Sequence, residues 1–238
     1  MSMLPAQPQR PLLVYLDVNV LVFWILPQSH LPGRAATHAD SREEVVKLFD
    51  IFKKHAGLAS NIQVVTCPWS LIEAHSALYL DALWKNGVVP PKKRKDRKYD
   101  PRKWIFPPHA PSLQHATAQL STAMRQLGTL VSLDILTPDT QLWQTALSVC
   151  EECGIYAPDA IHLAAAIHSG CDAIVTGDID FVNKIDWMAQ GGAITQIAAS
   201  PFPAGTQPAL EACPLQPHKR LKNPHPTARE YLAQRGYI

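Results

Sequence analysis

The sequence predicts an α/β domain built on a largely parallel central sheet, and three observations carry that reading. Short apolar runs of strand length alternate with stretches of helical periodicity, the order expected of strands joined by crossover helices. Two of those runs, Leu12–Leu16 and Ala173–Thr176, lack the polar alternation of a half-exposed strand, as parallel strands buried on both faces do. Each delivers an acid at its C-terminal end, Asp17 in the first case and Asp178, after Gly177, in the second.

Taken in order, Leu12–Leu16 is a strand that runs on into a helix. The apolar stretch 12–26 is interrupted by Asp17 and Asn19 and is shorter than the ~20 residues that span a bilayer, so neither an anchor nor a signal peptide is read there, and the expected compartment is the cytoplasm. Ser41 and Glu44 have the spacing of a capping box, and Val45, Val46, Leu48, Phe49 and Phe52 follow at helical spacing up to Gly57. A short strand at 63–66 precedes a helix over 69–84 that carries Glu73. From 112 to 127 helical periodicity returns, followed by a strand within 130–136 and by a helix over Thr140–Cys153 that Asp139 is placed to cap. Pro158 and Asp159 open the next helix, since proline suits a first turn whose N–H groups have no acceptor. Ala173–Thr176 is then a strand, 193–198 is read as a last one, and a short helix is expected near 227–234.

Composition supports a packed domain with an unevenly distributed charge. The chain has 238 residues, is 47% hydrophobic and carries a formal charge of +2. Residues 85–103 hold nine Lys and Arg against Asp96 and Asp100, a segment of +7 that leaves −5 elsewhere. Such a division fits an acidic catalytic site beside a basic surface for a polyanion. The basic run (Lys92, Lys93, Arg94, Lys95, Arg97, Lys98) lies in a Pro-rich stretch, 86–111, read as an exposed insertion, with Tyr99, Trp104 and Phe106 placed for base stacking. Five cysteines without framework spacing point to reduced thiols. Residues 1–200 are read as the folded domain and 201–238 as an irregular C-terminal tail.

The acids carry the chemistry. Asp17, Glu73, Asp159 and Asp178 each lie at the edge of an apolar element, where an unmatched carboxylate neutralises unless a cation meets it. Ligands of open parallel sheets gather at the strands' carboxyl ends, so all four acids can share one rim. Oxygen-only donors select Mg²⁺ or Mn²⁺ over zinc, and such an ion activates water and stabilises charge on a phosphate. Asp180 reads equally as a helix cap. His162 and His168, on an apolar helix, read as core or flanking residues, and so does His75.

The series Leu-Asp17-Val-Asn19, Glu73 in a helix after a short strand, Asp159-Ala-Ile-His-Leu-Ala-Ala-Ala, and Val-Thr176-Gly-Asp178-Ile-Asp180-Phe181 resembles the PIN-domain nucleases, nearest to their VapC-like toxin branch. The resemblance covers about residues 12–201. It implies a three-layer α/β/α fold, cleavage of RNA phosphodiester bonds, and Mg²⁺ or Mn²⁺ held by Asp17, Glu73, Asp159 and Asp178. Asn19 and Thr176 match positions that orient carboxylates or water, and Asp180 an accessory acid. It also implies a homodimer and, for a toxin, a small antitoxin partner. The insertion and the tail depart from the compact toxin pattern. Two alternatives are weighed against this reading. One is a catalytically silent RNA-binding or scaffold protein of the same fold. The other is a haloacid-dehalogenase-type phosphatase with Asp17 as nucleophile, which normally wants a second Asp where Asn19 stands.

Overall fold

The computed structural model describes residues 11–26, 35–55, 62–90, 93, 100–190 and 210–237. Five strands, β1 Leu12–Leu16, β2 Ile62–Thr66, β3 Ser132–Ile135, β4 Ala173–Thr176 and β5 Glu211–Pro214, form one all-parallel sheet in the order β3-β2-β1-β4-β5. Eight α-helices are described around it: α1 Val18–Ile25, α2 Ala35–His55, α3 Pro68–Lys85, α4 Ala110–Leu130, α5 Thr140–Cys153, α6 Ala157–His168, α7 Ile179–Gln190 and α8 Ala228–Gln234. Together they make the expected three-layer α/β/α arrangement.

The period-2 geometry of β1 sorts its side chains between two cores. Leu12, Val14 and Leu16 join Val64, Ala173 and Val175 beneath α1, α2 and α8. Tyr15 joins Val65, Ile174 and Ala212 on the other face, beneath α5, α6 and α7. Complete burial of Tyr15 and Leu16 (both 0% exposed) explains why the segment shows no polar alternation. Each such side chain contributes about 1.5–3 kcal/mol on leaving water.

Chain winding fixes where a site can form. From β1 the chain steps outward through β2 to β3, then returns to the opposite side of β1 with β4. The reversal leaves a crevice beyond the carboxyl ends of β1 and β4, where Asp17 and Asp178 stand. Local signals agree with the helix ends: Asp139 Oδ1 accepts from Leu142 N at 2.8 Å at the start of α5, and Gly154 closes that helix at φ 62°. Pro158 lies in the first turn of α6.

Two sequence expectations need correction, and a third lies outside the described residues. Of the segment read as an irregular tail, residues 210–237 are described and are folded: β5 pairs with β4, and α8 buries Ala228, Tyr231 and Leu232 in the main core. Glu211–Pro214 is only four residues, too short for a periodic signal, so it was legible only through its pairing. The closing strand read at 193–198 lies outside the described residues. Ser41 does not cap a helix, because α2 already begins at Ala35 and Ser41 sits buried inside it, accepting from Gln216 Nε2 at 3.2 Å.

Within the insertion, Val89 is fully buried and the short 3₁₀ turn Pro101–Lys103 is fastened to α3. Arg102 pairs with Asp100 at 2.8 Å and donates to the Ser76 carbonyl at 3.2 Å and to its hydroxyl. Lys93 is exposed, whereas Lys92, Arg94, Lys95, Arg97 and Lys98 lie outside the described residues. Among the described residues no helix is long and apolar enough to cross a membrane.

Candidate active site

Asp17 ends β1 and caps α1, and nearly every polar group around it is engaged with it. Its Oδ1 accepts from Val18 N at 2.7 Å, and its Oδ2 accepts from Thr176 Oγ1 at 2.6 Å and from Asn19 Nδ2. Asn19 also donates to Thr176 Oγ1 at 3.1 Å and accepts from Gly177 N at 2.6 Å. Thr176 Oγ1 in turn accepts from Asp178 N at 3.0 Å. Position 177 has no space for a side chain, since a Cβ there would stand 3.2 Å from both Asn19 Oδ1 and the Phe23 ring. Glycine lets β4 approach β1 closely enough for this network to close.

Four residues singled out in the sequence, Asp17, Asn19, Thr176 and Asp178, are thus joined across a separation of about 160 positions. Asp178 is exposed, and its Oδ1 also caps α7 by accepting from Asp180 N and Phe181 N at 2.9 and 3.2 Å. Glu73 reaches the same neighbourhood through another residue. His162 Nε2 lies 2.9 Å from Glu73 Oε2 and 3.8 Å from Asp17 Oδ1. Asp159 is held instead by Lys184, at 2.7 Å. Asp180 turns outward, 3.5 Å from an Arg220 guanidinium nitrogen.

His162, read from the sequence as a core or flanking residue, also links the acids. It is buried, and its Nδ1 lies 3.0 Å from Tyr15 Oη and 3.2 Å from Ser70 Oγ. Tyr15 Oη also meets Ser70 Oγ at 3.0 Å and Cys67 Sγ at 3.1 Å. A histidine between alanines and leucines reads as core because the groups that surround it come from β1, β2 and α3. One signal was present: Asp159 and His162 are three apart on α6 and so share a face.

The electrostatics follow from burial. Desolvation raises the pKa of Asp17, and the Asp178 charge adds to it, against the opposing pull of His162, Thr176 and Val18. Burial alone would lower His162. Hydrogen bonds with Cys67 and Glu73 and the field of Asp17 outweigh it and bring the imidazole up to about 10, so it is an imidazolium at neutral pH. Because the folded value lies above the ordinary 6.5, its stabilisation is complete below pH 6.5 and is lost as pH rises through the folded value. Cys67 titrates in the opposite sense, lowered by its hydrogen bonds with His162, Ser70 and Tyr15 despite burial. The two effects are separated in Cys67→Ser, which keeps a hydrogen-bonding group there without a titrating thiol: in EDTA its urea midpoint should decline from about pH 6.5 upward, and Cys67→Ser/His162→Gln should lack that slope.

The donor set fits a hard divalent ion in one particular form. Asp17 is a buried carboxylate whose charge its neighbours do not fully offset, and Asp178 adds a second oxygen donor beside it. No group of three or more His, Cys, Asp and Glu that could hold a metal forms among the described residues. Mg²⁺ typically takes one or two carboxylates and completes its shell with water and substrate phosphate. Glu73 and Asp159 already hold protein cations, His162 and Lys184.

Residues 117–186 match the PIN domain. The matched stretch runs from α4 to α7 and contains Asp159, His162, Thr176 and Asp178. Asp17 and Glu73 lie outside it, and the strand pairing brings Asp17 to it. PIN domains are generally nucleases and generally use divalent metals. No match to an individual curated protein accompanies the PIN match.

Proposed function

We propose that the chain is a Mg²⁺/Mn²⁺-dependent endoribonuclease that hydrolyses RNA phosphodiester bonds. The observation that carries this reading is the wired contact between the ends of β1 and β4, where a buried Asp17 shares Thr176 and Asn19 with the backbone leading to Asp178. Asp17 and Asp178 would hold the ion, which when bound supplies an activated water and offsets charge on the phosphate. Asn19 and Thr176 keep the Asp17 carboxylate in one orientation. Glu73 and Asp159 flank the crevice and contribute once substrate or ion competes with His162 and Lys184. The basic insertion (Lys92, Lys93, Arg94, Lys95, Arg97, Lys98) would attract the polyanion. Action as a toxin, as a homodimer restrained by a small antitoxin in the cytoplasm, belongs to the same proposal and is supported by the resemblance alone.

One observation favours a second reading, a silent RNA-binding protein of this fold: Glu73 and Asp159 are satisfied without any metal. The two readings part in a cleavage assay on single-stranded RNA. Fragments should appear in millimolar Mn²⁺ or Mg²⁺ and cease on addition of EDTA. RNA binding that EDTA leaves unchanged, with no cleavage in either metal, would establish the silent reading.

A further inference from the structure

On the exposed side of α7 lies a cleft of ≈ 290 Å³ lined by Asp180, Asn183, Lys184, Trp187 and Lys222. Asp180, Lys184 and Trp187 follow one another at spacings of four and three, so they share one helix face. Trp187 is 58% exposed, which leaves its indole available to a flat partner. The opposite wall is the chain just after β5. Asn183 clamps it, donating to the Arg220 carbonyl at 3.0 Å and accepting from Lys222 N at 2.9 Å. A turn from His218 to Leu221 is closed by Leu221 N donating to the His218 carbonyl at 3.0 Å, and Leu221 packs into the core beneath α7. Asn223 and His225 both bind Asp186, at 2.9 and 2.7 Å. Lys219, Arg220 and Lys222 are therefore presented, exposed, by a built wall.

The cleft adjoins the acids. Lys184 bonds Asp159, and Asp180 N bonds Asp178, so its rim is continuous with the candidate active site. An exposed indole between ammonium groups is the arrangement that binds single-stranded nucleic acid, with the ring stacking a base and the cations meeting flanking phosphates.

We propose that this cleft is a single-strand RNA subsite, in which Trp187 stacks one base and Lys222 with Lys184 holds the adjoining phosphates, feeding the strand toward Asp159 and Asp178. That the ligand is RNA rests on the nuclease reading above. The site itself rests on the cleft.

Binding is measured apart from cleavage, by fluorescence anisotropy of a labelled oligouridylate of about 12 nucleotides in EDTA, with the full chain. Trp187→Ala and Lys222→Glu should each weaken binding about tenfold. Trp187→Phe should restore most of the affinity, and Lys222→Ala should lower the slope of log K against log salt by about 1. Unchanged melting temperatures show that the variants fold. Binding by Trp187→Ala and Lys222→Glu equal to that of the parent would overturn the subsite, including the case in which the insertion carries all the affinity. Cleavage in Mn²⁺ with no effect of these variants defeats the subsite and leaves the nuclease reading standing. Loss of binding in both variants, in a parent that never cleaves, supports the subsite and defeats the nuclease reading.

Discussion

Asp17→Asn is expected to lower RNA cleavage in Mn²⁺ by on the order of 10³-fold, because it removes the buried carboxylate around which the crevice is organised. The amide is isosteric and retains an oxygen for Val18 N, so the α1 cap and the fold should persist in circular dichroism. RNA affinity in EDTA should be retained, since Asp17 is not among the residues that line the Trp187 cleft. Cleavage at the parental rate by a metal-saturated Asp17→Asn chain would eliminate the assignment of this carboxylate, and with it the site.

Removal of residues 210–238 should have the largest effect on stability. Without β5 the edge of β4 is left unpaired, and the core loses Cys213, Leu215, Tyr231 and Leu232, each at most 4% exposed. Truncating a single side chain of that size costs about 2–5 kcal/mol, and whole domains hold only about 5–15 kcal/mol. The shortened chain should therefore show no cooperative urea transition. A milder form of the test is Tyr231→Ala, expected to lower stability by about 3–5 kcal/mol. A cooperative transition at the parental midpoint in the truncated chain would show that the last two elements are dispensable.

The same segment shows what the amino-acid order disclosed and what it withheld. β1 and β4 were legible because both faces of each are buried, so hydrophobic residues run unbroken and any charge stands out at the end. α5 was legible to the residue, bounded by Asp139 and Gly154. α8 meets the short helix expected near 227–234, and the structure shows why it starts there: Thr227 and Glu230 form a reciprocal capping box. β5 could not be read in this way: Glu-Ala-Cys-Pro buries Ala212 on one face and Cys213 on the other but offers only these two apolar residues before a terminal proline, and its strand character comes from the register with β4. Ser41 misled for the reverse reason, since the spacing of a cap occurs by chance within a helix that starts earlier.

In the site, the strand-end acids and their polar companions were visible because each is anomalous where it stands. His162 was not, because a neutral imidazole and an imidazolium are the same letter. Only the arrival of Glu73 and Asp17 beside it decides between them. Lys184, which ties down Asp159, was equally hidden, for lysine on an exposed helix is the commonest of sights.

Thr176 lies 159 positions beyond the carboxylate it supports, and the strand that seals the sheet lies further on still. During synthesis on the ribosome Asp17 waits, without Thr176, while the chain grows by the 159 positions that separate them. A nascent chain therefore cannot assemble the hydrogen-bonded cluster around Asp17 before β4 has been made and has docked beside β1.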